Sequence, residues 1–238
     1  MYSISIIIPA YNEEQRLPAT LEKIKTYVTA RQYDYEIIVV NDGSTDKTAG
    51  VAETFKDLNL RVLTHSPNRG KGYCIKTGML NAKKDIALFT DADLSTPIEF
   101  FDTFAPLHES GADIVIASRD IKGAAVKLAQ PFFREFGGKV FNLLMRLVTG
   151  LPIHDTQCGF KSFKRETLEN IFKRQTIPGF GFDVEVLYIA HKLGYKIKET
   201  PVDWFDSPAT KVNFLKDSTK MFAELFKIRA NDFNGLYK

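Results

Sequence analysis

Asp91 and Asp93 stand at i and i+2, directly after the apolar run Ile86–Thr90. Two carboxylates at that spacing offer hard oxygen ligands, and Mg²⁺ is typically held by one or two carboxylates together with substrate phosphates. An ion held there would act as a Lewis acid, neutralising charge on a departing nucleoside diphosphate. Taken alone, the pair is equally a solvated loop. Two more polar clusters follow apolar runs. In VVNDGSTD, Gly43 permits a tight turn, and Ser44, Thr45 and Asp46 can satisfy the free amides of a following helix. Turn chemistry explains Asp42 less well, because its carboxylate is placed to accept from a pyrimidine N–H or a ribose hydroxyl. In IIIPAYNEE, Pro9, Tyr11, Asn12 and Glu13 either cap a helix or offer an aromatic surface and an acceptor to a base.

Gly70 and Gly72 flank Lys71 in NRGKG, without the GxxxxGK[ST] spacing of a P-loop. A turn presenting Arg69 and Lys71 beside a helix N-terminus suits an anionic ligand; a surface loop of solvated charges accounts for it as well. Further on come Asp155 in HDTQCGFKSF, then Asp183 and Glu185 in GFGFDVEVL. Either of the last two can be a general base. Acids at a helix start also stabilise the macrodipole with no catalytic role, and spacing does not separate the two. His65, His108, His154 and His191 show no metal-ligand spacing and read as structural or surface residues.

The elements that position these groups follow from the hydropathy pattern. Strands are expected at Ile4–Ile8, Tyr35–Val40, Arg61–Thr64, Ile86–Thr90 and Ile114–Ala117. Helices are expected at about Glu13–Ala30, Asp46–Phe55, Gly72–Ala82 and Pro97–His108. Asp46 reads as a helix cap, as does Thr96 with Pro97 at the first position. This alternation predicts βαβ units around a mostly parallel sheet. Ligands of such sheets bind outside the carboxyl ends of the strands, which is where the Pro9–Glu13, Asn41–Asp46 and Asp91–Asp93 clusters fall.

A chain of 238 residues can bury one good core. Its 44% hydrophobic and 26% charged content is that of an ordinary globular protein. The net charge of +3 is mild and does not suggest a nucleic-acid binder, which normally shows a concentrated basic face. Two distant cysteines, Cys74 and Cys158, exclude a disulfide scaffold and read as buried thiols in a reducing compartment. MYSISIIIPAYNEE lacks the basic start and cleavage site of a signal peptide, and no run reaches the ~18 apolar residues of a membrane span. Residues 131–153 interleave Phe132, Phe133, Phe136, Phe141 and Leu147 with Arg134, Lys139 and Arg146. Such a helix either lies in a membrane interface or packs on the sheet. NFLKDSTKMFAELFKIR near the C-terminus has the same character.

In order, IIIPAYNEE, VVNDGSTD, NRGKG, DAD, Ser118–Arg119, DTQCGFK and FDVE resemble the family 2 glycosyltransferases of the GT-A fold, over nearly the whole chain. NRGKG, DTQCGFK, FDVE and the Val202–Trp204 stretch with Lys211 are similar to dolichyl-phosphate β-glucosyltransferases, with dolichyl-phosphate mannosyltransferases as neighbours. The resemblance implies one α/β domain, Rossmann-like, with a mostly parallel central sheet flanked by helices. Residues 1–120 would bind the nucleotide sugar and residues 121–238 the acceptor. The implied activity is inverting transfer of a hexose, glucose from UDP-glucose, to a polyprenyl or dolichyl phosphate. Another donor (GDP-mannose, UDP-N-acetylglucosamine) or a hydroxyl acceptor is the alternative. Pro9, Tyr11, Glu13, Asp42 and Lys71 would hold the donor, Asp91 would contact the nucleotide, and Asp93 with Asp91 would ligate Mg²⁺ or Mn²⁺. Arg119, Arg134 and Lys211 would bind phosphates, and Asp155 or Asp183 would serve as base for a hydroxyl acceptor. The enzyme would work at the cytoplasmic face of a membrane, peripherally or through a membrane-anchoring partner.

Overall fold

The computed structural model describes residues 2–126, 142–205 and 214–238. Unbroken aliphatic runs build β1 (Ser3–Ala10), β2 (Asp34–Asn41), β3 (Leu60–Thr64), β4 (Ile86–Thr90) and β5 (Ile114–Ser118). Strands apolar on both sides suit a sheet covered on both faces. Between them lie α1 (Leu17–Arg31), α2 (Thr48–Glu53), α3 (Lys71–Leu80) and α4 (Phe101–Glu109), the last preceded by a 3₁₀ turn at Ile98–Phe100. All sit where the hydropathy pattern predicts, with two differences at helix starts. α1 begins at Leu17 rather than Glu13, because Pro18 has no N–H and fits only the first turn. Thr96 caps nothing; it is buried, with its Oγ1 3.5 Å from Cys158 Sγ. Asp46 does meet the next helix, accepting from the Thr48 amide at 2.9 Å.

The second half adds β6 (Ala125–Val126), α5 (142–149), β7 (Phe160–Lys164), α6 (Arg165–Phe172), α7 (Phe182–Lys192), β8 (Ile197–Pro201), β9 (Asp203–Trp204) and α8 (Phe214–Phe233). The main sheet runs β3-β2-β1-β4-β7-β5-β8, and β6 pairs with β9 in a small separate sheet. Every pairing in the main sheet is parallel except those of β7, which lies antiparallel between β4 and β5. The sequence pattern does not announce β7, since Lys161 and Ser162 are polar residues buried in mid-strand. Through β7 and β8, residues 121–238 contribute to the same sheet as residues 1–120.

Side-chain alternation divides the core in two. Ile4, Ile6 and Ile8 of β1 pack with Ile37, Val39, Leu88 and with Leu17, Leu21, Ile24 of α1 and Phe101, Phe104 of α4. On the opposite face Ile7 joins Ile38, Val40, Phe89, α3 through Ile75 and Met79, and α7 through Val184 and Leu187. The chain winds outward from β1 to β3, then crosses back to β4 on the other side of β1. The crevice at the carboxyl ends of β1 and β4 is therefore the switch point at which open α/β sheets bind ligands.

α3 reaches β1 only because residue 78 is glycine: a Cβ there would lie 2.4 Å from Ile7 Cγ2. We expect Gly78→Ala to destabilise the fold by about 1–3 kcal/mol. Gly50 of α2 has nothing within 4 Å of its Cβ position, so Gly50→Ala should stabilise by roughly 0.5–1 kcal/mol. Urea unfolding of both variants measures the contrast; equal shifts would show that helix propensity, not packing, governs residue 78.

Candidate active site

At the end of β1 the chain turns through Asn12, which adopts φ 54°. Asn12 Oδ1 accepts from the Thr45 amide at 2.8 Å, and the Asn12 amide donates to Ser44 Oγ at 3.0 Å. The Glu13 amide donates to Thr48 Oγ1 at 2.7 Å. The first two polar clusters are thus zipped together by the groups that the sequence suggested as helix caps. Tyr11 stands 39% exposed beside them. Glu13 is buried and its carboxylate is forked by Arg16, with both hydrogen bonds at 2.6 Å. The same guanidinium lies 3.7 Å from Asp93 Oδ2. Arg16 links the first cluster to the third, a role its sequence position among helix-start residues does not reveal.

Asp42 follows β2 and is buried. Its Oδ1 accepts from the Arg69 amide and from His65 Nε2, both at 2.7 Å, and its Oδ2 accepts from the Gly70 amide at 2.9 Å. The carboxylate therefore shapes the NRGKG turn as well as facing the crevice edge. Gly70 adopts φ 101°, and a Cβ there would lie 2.5 Å from the Pro178 carbonyl oxygen. The turn delivers Lys71 to the first position of α3, where its Nζ reaches Asp91 Oδ1 at 2.5 Å. Burial by itself would lower the ammonium pKa. The Asp91 and Asp183 carboxylates outweigh burial and hold it above the ordinary lysine value.

The DAD turn is tight. Asp93 Oδ1 accepts from the Ser95 amide at 3.0 Å and from Ser95 Oγ at 2.9 Å. Leu94 between them is buried with φ 48°, a conformation that costs a leucine on the order of 1 kcal/mol or more. Asp91 packs against Gly159, where any Cβ would lie 2.0 Å from Asp91 Oδ2. Two partly exposed carboxylates, with glycine at 159 leaving room beside Asp91 Oδ2, fit a divalent cation that completes its shell from substrate phosphates. Lys71 and Arg16 supply positive charge to the same oxygens.

Arg119 follows β5, and Asp155 holds it through three hydrogen bonds: backbone N at 3.0 Å, Nε at 2.7 Å and Nη2 at 3.0 Å. Asp155 is 0% exposed and also accepts from the Gln157 and Cys158 amides. Burial would raise its carboxyl pKa, yet the adjacent guanidinium and these donors hold it at about 2. The buried Asp155 is thus a positioning residue for Arg119, whose guanidinium carbon also lies 5.4 Å from the Trp204 ring centre. Asp183, at the start of α7, is buried and pairs with buried Lys161. Burial raises its carboxyl pKa against the pull of Lys161 and Lys71. Glu185 is a structural staple, accepting from the Thr176 and Ile177 amides, Thr176 Oγ1 and Tyr237 Oη. Of the acids expected as base for a hydroxyl acceptor, Asp155 and Asp183 are both buried, and each is paired with a cation.

Arg134 and Lys211 lie outside the described residues, as do the phenylalanines of 132–141. Of the two amphipathic stretches, α5 buries Met145 and exposes Leu143 and Leu147, while α8 buries Leu225 and Ile228 and exposes Phe222 and Phe226. Among the described residues no helix is long and apolar enough to cross a membrane.

The family model "Glycosyl transferase family 2" matches residues 5–172. The dolichyl-phosphate beta-glucosyltransferase of Dictyostelium discoideum is 32% identical over 99% of this chain and 76% of its own length. Its namesake in Drosophila melanogaster is 35% identical over 99% and 77%, and that in Homo sapiens 31% over 99% and 77%. Among solved structures, glucosyl-3-phosphoglycerate synthase from Mycobacterium tuberculosis in complex with Mg²⁺ and UDP superposes with TM-score 0.69 at 22% identity, covering 95% of this chain and 79% of that one. Its complex with Mn²⁺, UDP-glucose and phosphoglyceric acid gives 0.67 at 21%, covering 95% and 78%. At that identity the likeness establishes the GT-A fold.

The Asp155 carboxyl is depressed from 3.8 to about 2 in the folded protein. Its pairing therefore stabilises the fold fully above pH 3.8 and loses effect as pH falls through about 2. The Tm difference between the wild type and Asp155→Asn should shrink over that window. A difference that stays constant with pH would show that the charge on Asp155 does not hold Arg119.

Proposed function

Because the chain belongs to glycosyl transferase family 2, it is a glycosyltransferase, and we propose that it transfers glucose from UDP-glucose to a polyprenyl or dolichyl phosphate with inversion, giving a β-linked lipid-phosphate sugar. The observation that carries this reading is the near-complete span of the match to relatives named dolichyl-phosphate beta-glucosyltransferase, 31–35% identical over 94–99% of this chain. The geometry agrees with it. Tyr11, Pro9, Glu13 and Asp42 surround the end of β1 and take the nucleoside. Asp91 and Asp93 take Mg²⁺ or Mn²⁺, which when bound supplies Lewis-acid compensation for the leaving diphosphate. Lys71 adds fixed positive charge on the donor side. Arg119, pinned by Asp155, faces the acceptor phosphate, and Arg134 and Lys211 are assigned to phosphates with it.

A phosphate monoester is already anionic near neutral pH, so its attack on the anomeric carbon needs positioning more than deprotonation. That agrees with a site in which Asp155 and Glu185 are fully engaged and Asp183 is paired with Lys161. A lipid acceptor brings the enzyme to a membrane surface, and the apolar side chains exposed on α5 and α8 support peripheral contact at the cytoplasmic face.

Incubating the enzyme with a polyprenyl phosphate and Mn²⁺ or Mg²⁺ tests the reading, with UDP-glucose, UDP-galactose, UDP-N-acetylglucosamine and GDP-mannose compared. A glucosylated lipid phosphate from UDP-glucose is expected. Nucleotide release with no lipid product would move the acceptor to a hydroxyl. Asp93→Ala should lower transfer on the order of a thousandfold, the equivalent of several kcal/mol of lost charge stabilisation; near-normal transfer would remove the metal role of Asp93.

A further inference from the structure

Three residues far apart in sequence converge beside the crevice, each from a different element. Asp42 follows β2, His65 follows β3, and Cys74 lies in the first turn of α3. Their ligand atoms all lie within 4.8 Å of one another. His65 Nε2 is 2.7 Å from Asp42 Oδ1 and 3.7 Å from Cys74 Sγ. We propose that Asp42, His65 and Cys74 form a binding site for a thiophilic divalent cation, Zn²⁺, which shares Asp42 with the proposed nucleoside pocket and is separate from the Asp91–Asp93 pair.

The donor chemistry sets the two sites apart. Asp91 and Asp93 offer carboxylate oxygen alone, which suits Mg²⁺ or Mn²⁺. The second group offers one oxygen, one imidazole nitrogen and one sulfur. Zn²⁺ takes that mixture, and three protein ligands leave the fourth tetrahedral position to water. His65 keeps part of its ring exposed, whereas Asp42 and Cys74 are buried, so the cation enters from the His65 side. Asp42 is already oriented by the Arg69 and Gly70 amides, the outer-shell support that metal carboxylates normally have. The His65 ring is held edge-on by Tyr73, its centre 4.8 Å from the Tyr73 centre.

Binding is balanced in protons. Burial, with the Asp42 charge behind it, pushes the Cys74 thiol well above its ordinary pKa, so it is protonated until metal binds. The S–H proton leaves to solvent as the sulfur–zinc bond forms, and the His65 ring proton passes from Nε2, where it bonds Asp42 Oδ1, to Nδ1 through solvent so that Nε2 can coordinate. The occupied site would join the ends of β2 and β3 to the start of α3, fixing the turn that delivers Lys71.

Co²⁺ titration of the full chain tests this, because cobalt bound to thiolate absorbs in the near ultraviolet. We expect one equivalent of Co²⁺ to produce that absorption and Zn²⁺ to bleach it. Cys74→Ser should lose the band, while Cys158→Ser and Asp93→Ala should keep it. His65→Gln, which retains a hydrogen-bonding side chain beside Asp42, should also lose it and serves if Cys74→Ser does not fold. No thiolate band in the wild type, or a band that survives in Cys74→Ser or His65→Gln, overturns the site. The readout is binding alone, so it stands or falls independently of which sugar and acceptor the enzyme uses.

Discussion

Carboxylates gathered at the ends of parallel strands repel one another and lose hydration as the crevice forms, so each needs a cation or a set of N–H donors. This requirement organises the molecule. Arg16 answers Glu13 and lies against Asp93, tying the loop after β1 to the loop after β4. Lys71 answers Asp91 and ties α3 to β4. Lys161 answers Asp183, joining β7 to α7 inside the core. Arg119 and Asp155 connect the end of β5 to the segment that leads into β7. The cations that border the crevice are also the ones that hold its walls together, so the fold and the candidate site share one set of interactions.

That sharing explains which parts of the site were legible in the sequence. Asp42, Asp91 and Asp93 could be placed because each follows an aliphatic run long enough to be a buried strand, and sheet topology sends all such ends to one edge. Their cationic partners could not. Arg16 looks like any basic residue near a helix start, and its two acidic partners lie 3 and 77 positions away. Lys161 is hidden more deeply: a lysine in mid-strand argues against a strand, and only the carboxylate of Asp183 from α7 makes its burial tolerable. For that reason the sequence pattern does not reveal the antiparallel β7, nor that residues 121–238 enter the sheet between β4 and β5.

The acids of the second half show the same limit from the other side. Asp155, Asp183 and Glu185 have similar sequence surroundings, each near a glycine and an apolar run. Their roles diverge through groups that no local pattern contains. Glu185 is filled by donors from Thr176, Ile177 and Tyr237, whereas Asp155 is filled by Arg119, 36 positions earlier. The His65–Cys74 approach is likewise a product of strand order, since nine residues of turn and helix carry the thiol back to the imidazole.

Transfer to a hydroxyl requires a carboxylate that can take a proton near neutral pH and that the acceptor can reach. Of the three second-half acids singled out from the sequence, Asp155 is held at about 2 by Arg119 and is closed off from solvent. Glu185 has four donors and no exposure. Asp183 is raised by burial, as a base would be, but Lys161 occupies it and Phe182 seats it within the core. A phosphate acceptor removes the requirement, because it arrives with its own negative charge. What it then requires is a rigid cation aimed at the crevice. In the proposed function that cation is Arg119, locked by a carboxylate that stays ionised throughout the physiological range and placed beside Trp204.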